Sequence, residues 1–158
     1  MRIGLVSDTH GLVRPELFTA LDGVELILHA GDVGGHHVLT ELSAIAPVRA
    51  VYGNGDAPGE PGLRASVGLE VEGLSIHVSH GHEIRGGPSA GALLSRYDAD
   101  IIVFGHTHTP LVHRAGARLV VNPGAAGPRR FKLQPSVARM IVTATGAEVE
   151  IVWLLAQS

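Results

Sequence analysis

Ile101-Ile102-Val103-Phe104-Gly105-His106-Thr107-His108 decides how this chain is read. Four apolar residues in a row, between Asp100 and Gly105, predict a buried strand of the parallel type. His106 and His108 follow at once and lie two apart, so an extended segment would turn both imidazoles to one face. Imidazole is the commonest side-chain metal ligand, and Gly105 lets the backbone approach whatever the two rings hold. Taken alone, the motif is equally a polar strand end with two solvated histidines.

Working outward, the same grammar recurs. Residues 3–7 run into Asp8-Thr9-His10, residues 24–29 into Gly31-Asp32, residues 48–52 into Gly53-Asn54-Gly55-Asp56, and residues 74–79 into His80-Gly81-His82. In an open α/β sheet, ligands bind in the crevice beyond the carboxyl ends of the strands. Five strand ends carrying Asp, Asn and His toward one crevice predict a metal site. The chain has no cysteine, so the donors are oxygen and nitrogen, a set that suits manganese first, with nickel, iron or zinc as alternatives.

The remaining segments follow from periodicity and punctuation. A short helix is predicted from Glu16 to Leu21, with Leu17, Phe18 and Leu21 as its apolar positions, and a second from His36 through Ile45, with Val38, Leu39, Leu42 and Ile45. Residues 63–71 and 74–79 read as a hairpin about Glu72-Gly73, and a helix is expected from about Pro88 to Tyr97. Residues 111–114 and 118–121 form a further hairpin; residues 137–143 and 148–155 form the last. Four other histidine positions are read as non-ligands: His29 as a buried strand residue, His36 and His37 as exposed in a first turn, and His77 as structural. His113 is read as solvent-facing. A βαβαβ first half followed by hairpins predicts an α/β fold of four αββα layers, two mixed sheets packed face to face with helices outside.

Composition bounds the rest. At 158 residues the chain is expected to be one domain, 1–158, and aromatics are only 4%, so the core must be built from Val, Leu, Ile and Ala. The net charge of -3 gives no global basic footprint and disfavours nucleic acid as a partner. No apolar run reaches membrane length and none opens the chain, so a cytoplasmic location is expected and no membrane association.

Asp-x-His, Gly-Asp, Gly-Asn-x-Asp, His-Gly-His and Gly-His-Thr-His, in this order over nearly the whole chain, resemble the calcineurin-like metallophosphoesterases. The chain is most similar to their short bacterial and archaeal phosphodiesterases, whose fold is shared with a retromer subunit. The resemblance implies that Asp8, His10 and His108 hold one metal, that Asn54, His80 and His106 hold a second, and that Asp32 bridges them. His82 would face the substrate without being a ligand. Asn122-Pro123-Gly124 also fits the subgroup, although its usual following serine is Ala125 here. A second departure is Gly55, where many relatives carry a histidine that protonates the leaving group. A homodimer is the assembly that the resemblance suggests.

The implied chemistry is hydrolysis of a small-molecule phosphate ester, by in-line attack of a hydroxide bridging two divalent metals ~4 Å apart. Asp32, Asn54 and His82 are the residues placed nearest that chemistry. A phosphodiesterase is the first reading. A phosphomonoesterase of the same fold is the nearest alternative, and a non-catalytic metal-binding scaffold is the other. The complete ligand set, His10 included, favours an enzyme over the scaffold.

Overall fold

A computed structural model describes residues 1–130 and 132–155. Phe131 and residues 156–158, the end of the expected 1–158 span, lie outside the described residues. The first sheet starts with β1 (Arg2–Val6), then β2 (Leu26–His29), β3 (Val48–Val51) and β4 (Leu63–Arg64). These four lie side by side and parallel. The second sheet contains β5 (Val67–Val71), β6 (Leu74–Val78), β7 (Ile101–Val103), β8 (Leu111–Ala115) and β9 (Arg118–Asn122), in the order β5-β6-β7-β9-β8. The chain then returns to the first sheet as β10 (Ser136–Thr143) and β11 (Gly146–Trp153), giving the order β11-β10-β1-β2-β3-β4. Both sheets are mixed, because β10 runs antiparallel to β1 while β6, β7 and β9 are parallel within sheet two.

Alternation along the strands sorts the apolar residues into three layers of core. Ile3, Leu5, Leu28, Val78, Ile101 and Val103 meet between the two sheets. The opposite faces of β1 and β2, through Val6 and Ile27, bury Leu17 and Leu21 beside helix α1 (Glu16–Ala20), and Val38 and Leu42 of helix α2 (His36–Leu42). Ile102, Phe104 and Val120 pack on the other side of sheet two against Leu93 of helix α3 (Ala90–Arg96). The architecture is the four-layer αββα sandwich. Among the described residues, no helix is long and apolar enough to cross a membrane.

Three local expectations change. Residues 63–71 are not one strand: β4 pairs with β3 in the first sheet and β5 with β6 in the second. Leu63 faces the helix side and Val67 the inter-sheet side, so residues 65–66 carry the chain across while apolar alternation continues unbroken. Phe18 is exposed, because a helix of five residues presents only Leu17 and, one turn on, Leu21 to the sheet. Helix α3 begins two residues after Pro88, where the Ser89 hydroxyl accepts from the Ala92 N–H at 3.1 Å and fixes the N-terminus.

Candidate metal centre

The carboxyl ends of β1, β2, β3, β6 and β7 open on one crevice, and backbone bonds zip their outgoing loops together. Asp8 N–H donates to the Gly31 carbonyl at 2.9 Å, and His10 N–H to the Asp32 carbonyl at 3.0 Å. In the second sheet, Gly105 N–H donates to the His80 carbonyl at 2.9 Å. At Gly105 a Cβ would lie 1.9 Å from Ser7 Oγ and 2.6 Å from Asp8 Oδ2, so the β7 loop reaches the β1 loop only because glycine stands there. Asp8, His10, Asp32, His106 and His108 all take positive φ, between 46° and 71°, and Glu72 in the β5–β6 turn is the only other described non-glycine residue that does. Such backbone costs of order 1 kcal/mol or more per residue and persists where the surroundings over-determine it.

That twist corrects the expectation for His106 and His108. The strand stops at Val103, both histidines are left-handed, and their side chains part instead of sharing a face. His106 Nδ1 comes within 3.2 Å of Asn54 Oδ1, whereas His108 Nε2 lies 3.3 Å from Asp8 Oδ1 and 3.4 Å from His10 Nε2. The crevice therefore has two ends. Asp8, His10 and His108 converge at one; Asp8, Asp32 and His80 converge at the centre, each set offering ligand atoms within 4.8 Å of one another. Asn54 extends the second set, its Oδ1 3.1 Å from His80 Nε2. Asp32 Oδ2 lies between the ends, 3.7 Å from His10 Nε2 and 3.3 Å from His80 Nε2.

The seven predicted ligands thus come together, and His82 stands beside them. Its ring is exposed, 5.4 Å from that of His80 and 6.3 Å from that of Tyr52. The histidines read as structural stay apart. His29 is buried, with Nε2 3.0 Å from Thr9 Oγ1 and Nδ1 accepting from Gly31 N–H at 3.1 Å. His77 stacks on Tyr97 with centroids 3.7 Å apart, and His36, His37 and His113 are exposed.

The atoms at the centre are the kind a cation resolves. Asp8 Oδ1 is fully buried with no hydrogen-bond partner, although the Nε2 atoms of His10, His80 and His108 surround it at 3.3–3.8 Å. His80 Nδ1–H donates to the Ala30 carbonyl at 2.7 Å, so in the neutral ring Nε2 is the lone pair that faces the crevice. That lone pair meets the amide oxygen of Asn54, which also faces His106 Nδ1. With His80 neutral, its lone pair and the Asn54 oxygen are two acceptors facing one another, which is costly unless a positive charge, a proton or a cation, lies between them.

The electrostatics follow. Burial pushes the Asp8 carboxyl up, but the imidazoles of His10, His108 and His80 and the Ser7 hydroxyl outweigh it and hold the group well below the usual carboxylate range. Asp32 is likewise pushed up by burial and pulled down further by His80 and the Gly55 N–H. Contact with Asp8 raises His10. Burial lowers His80, yet Asp32 and Asp8 more than offset it, so the net shift is upward. His106 is lowered by burial and by the neighbouring charge of His80.

Four supporting residues escaped the sequence reading. Ser7 Oγ donates to Asp8 Oδ2 at 2.5 Å and turns Oδ1 inward. Asp56 accepts from the N–H groups of Val33, Gly34 and Gly53 at 2.9–3.0 Å, stapling the Asp32 loop to the Asn54 loop. Asn122, at the end of β9, donates to the Gly105 carbonyl at 3.1 Å and to Thr107 Oγ1 at 2.9 Å, bracing the histidine loop. Glu83 accepts from Gly81 N–H at 2.9 Å and from Tyr97 OH at 2.7 Å. Asp56 and Asn122 sit inside quoted motifs, so their signal was present without a role attached.

Comparison with known proteins adds an independent line. The model of the calcineurin-like phosphoesterase superfamily domain matches residues 1–145. A probable metallophosphoesterase of Methanothermobacter thermautotrophicus is 35% identical over 162 residues, covering 96% of this chain and 92% of that protein. A phosphodiesterase of Methanocaldococcus jannaschii is 27% identical over 145 residues, covering 78% of this chain and 83% of its own. Among solved structures, Vps29 of Entamoeba histolytica complexed with zinc superposes with a TM-score of 0.79 at 22% identity, over 98% of this chain and 100% of that one.

Proposed function

This chain belongs to the calcineurin-like phosphoesterase superfamily, and from that premise we propose that it is a cytoplasmic, metal-dependent phosphodiesterase formed by one domain over 1–158. The observation that carries the reading is Asp8 Oδ1, a buried carboxylate oxygen with no partner inside a ring of three imidazole nitrogens. Asp8, His10 and His108 would hold one divalent ion and Asn54, His80 and His106 a second, with Asp32, whose Oδ2 lies between His10 and His80, serving both. Manganese suits this oxygen and nitrogen set, and the zinc bound by the Entamoeba protein supports zinc as the alternative. Bound there, the ions supply Lewis-acid polarisation of the phosphoryl oxygens and an acidified water as nucleophile.

The protein's own residues do the rest. Ser7 and the His106 N–H hold Asp8 Oδ2, at 2.5 and 3.1 Å, and the Gly55 N–H holds Asp32 Oδ1 at 2.7 Å, so both carboxylates keep one oxygen aimed at the centre. Two carboxylates against two divalent ions leave a net positive site, which attracts a phosphate ester and offsets charge growing on its oxygens. Gly55 has no proton to give a leaving group. His82, exposed beside His80, is the side chain placed to give one.

General acid catalysis is typically worth about 100- to 10,000-fold, so a weak acid here favours activated diesters. Metal analysis of the purified protein, paired with kcat/KM for an aryl diester, an alkyl diester and an aryl monoester, tests the proposal. Two ions per chain with the aryl diester as best substrate support it; a clearly faster aryl monoester overturns the diester assignment. His82→Ala should slow the alkyl diester more than the aryl one.

A further inference from the structure

Charge along this chain is unevenly placed. Residues 101–147 contain Arg114, Arg118, Arg129, Arg130, Lys132 and Arg139 but no Asp or Glu, within a chain of net charge -3. Three of these cations are accounted for. Arg114 bonds the Ala147 carbonyl and approaches Glu148, Arg118 binds the carbonyls of Leu94, Tyr97 and Ala99, and Arg139 binds those of Ala20 and Asp22. Arg129, Arg130 and Lys132 are exposed and, among the described residues, none makes a side-chain hydrogen bond or ion pair with the protein.

Their position is fixed by the backbone before them. Ala126 N–H donates to the Ser7 carbonyl at 2.9 Å, one residue ahead of Asp8. Gly127 is pressed so closely on the next loop that a Cβ there would lie 2.1 Å from the Thr9 carbonyl oxygen. Arg14, four residues after His10, closes the clamp by donating from Nε to the Gly127 carbonyl at 2.9 Å. Arg130 follows three residues on, where its carbonyl accepts from Leu133 N–H at 2.9 Å and turns the chain back. The backbone that carries the three exposed cations is therefore anchored against the Asp8–His10 loop, beside the His10 end of the crevice.

We propose that Arg129, Arg130 and Lys132 form a subsite for a second phosphoryl group, so that the substrate is a phosphodiester bearing a further phosphate away from the scissile one. The inference rests on the phosphodiesterase reading. Guanidinium forks match phosphate oxygens in pairs, and Arg makes such contacts where planar recognition is needed. Three cations within four positions suit one phosphate group. A nucleic-acid strand would need a longer basic track, and the overall charge supplies none.

The test uses manganese-loaded full chain and calorimetric affinities for thymidine 3′,5′-bisphosphate and thymidine 5′-monophosphate, in the parent and in an Arg129→Ala, Arg130→Ala double variant. Hydrogen bonds to charged groups each contribute enough that the parent should prefer the bisphosphate by about tenfold or more. The double variant should lose most of that preference, with its melting temperature unchanged because both side chains are exposed. In the parent the preference should also shrink as sodium chloride rises, as expected for exposed charges. An equal bisphosphate preference in parent and variant overturns the subsite. If an aryl diester is turned over while that preference is equal, the subsite alone fails. If neither nucleotide binds, the subsite fails; if the manganese-loaded parent also leaves an aryl diester intact, the phosphodiesterase reading fails with it.

Discussion

The inter-sheet core and the crevice are made by the same strands, yet they are built on opposite terms. β1 buries Ile3 and Leu5 between the sheets and then delivers Asp8; β2 buries Leu28 and then delivers Asp32; β6 buries Val78 and then delivers His80. In the core the backbone is extended, the side chains are apolar, and each full burial of a large aliphatic contributes about 1.5–3 kcal/mol. Two to five residues past the strand ends the backbone is left-handed at Asp8, Asp32, His106 and His108, and the buried Asp8 oxygen has no partner. The core stores stability and the crevice spends it. Strain and unpaired acceptors at one place, flanked by unstrained packing, are expected where a charged ligand completes the site.

The sharpest way to break that division is to alter one residue from each side. Asp32→Asn keeps an acceptor for the Gly55 N–H and removes only charge. It should lower kcat/KM by at least about 100-fold and weaken manganese binding, with little change in melting temperature. Leu28→Ala removes a fully buried side chain and should cost about 2–5 kcal/mol of stability while leaving kcat per folded molecule near that of the parent. Kinetics and urea titration on the two variants measure both. If Asp32→Asn retains most activity at saturating metal, or Leu28→Ala inactivates a protein that is still folded, the division does not hold.

Much of this was legible in the sequence because it depends on short-range rules. Apolar runs of four to six residues marked β1, β2, β3, β6 and β7, and the polar residues after them marked the crevice. What could not be read is what tertiary packing decides. Residues 63–71 alternate perfectly, yet the chain changes sheets at 65–66, because alternation records which face is buried and not which sheet buries it. The separation of His106 from His108 depends on left-handed backbone that a strand pattern does not encode. Asp56 and Asn122 matter through bonds to backbone groups far away in sequence, so no local spacing could assign them a role.

A second, smaller effect lies on the boundary between the two regions, at His29. It is buried under both ligand loops, its Nε2–H donates to Thr9 Oγ1, and its Nδ1 accepts from Gly31 N–H. Burial pulls its pKa down to about 4. The folded chain therefore keeps it neutral below 6.5, where the unfolded chain takes up a proton. Its contribution is fully present above about 6.5 and is lost as pH falls toward 4, a change on the order of 3 kcal/mol. His10 and His80 are raised and act in the opposite sense, so the comparison must be made within a pair of variants. His29→Asn retains an acceptor for Gly31 N–H and cannot titrate. Urea stability of the metal-free chain, measured at pH 7.5 and pH 5, should fall less in His29→Asn than in the parent. Equal losses would mean that His29 is not the acid-sensitive joint.

The smallest effect separates strain that serves the crevice from strain that does not. Glu72 has φ 53° and Gly73 φ 82° in the two-residue turn joining Val71 to Leu74, the pattern of a type I′ hairpin. Asparagine is preferred at the first position of such a turn because its side chain tolerates left-handed backbone better than glutamate does. Glu72→Asn should therefore stabilise the protein by roughly 0.5–1 kcal/mol and leave activity alone, since the turn lies at the far end of β6 from His80. His106 has φ 71°, so His106→Gly relieves comparable strain. It also removes the ring that faces Asn54 and packs edge-on against His80, with centroids 5.2 Å apart. In the metal-free chain the two variants should shift urea midpoints in the same stabilising direction, His106→Gly less because glycine also gains freedom in the unfolded state. With manganese present they should diverge: Glu72→Asn keeps its gain, and His106→Gly loses the extra stability that bound metal gives the parent. A stabilising effect of manganese equal to the parent's in His106→Gly would show that the left-handed histidine is not maintained for the metal.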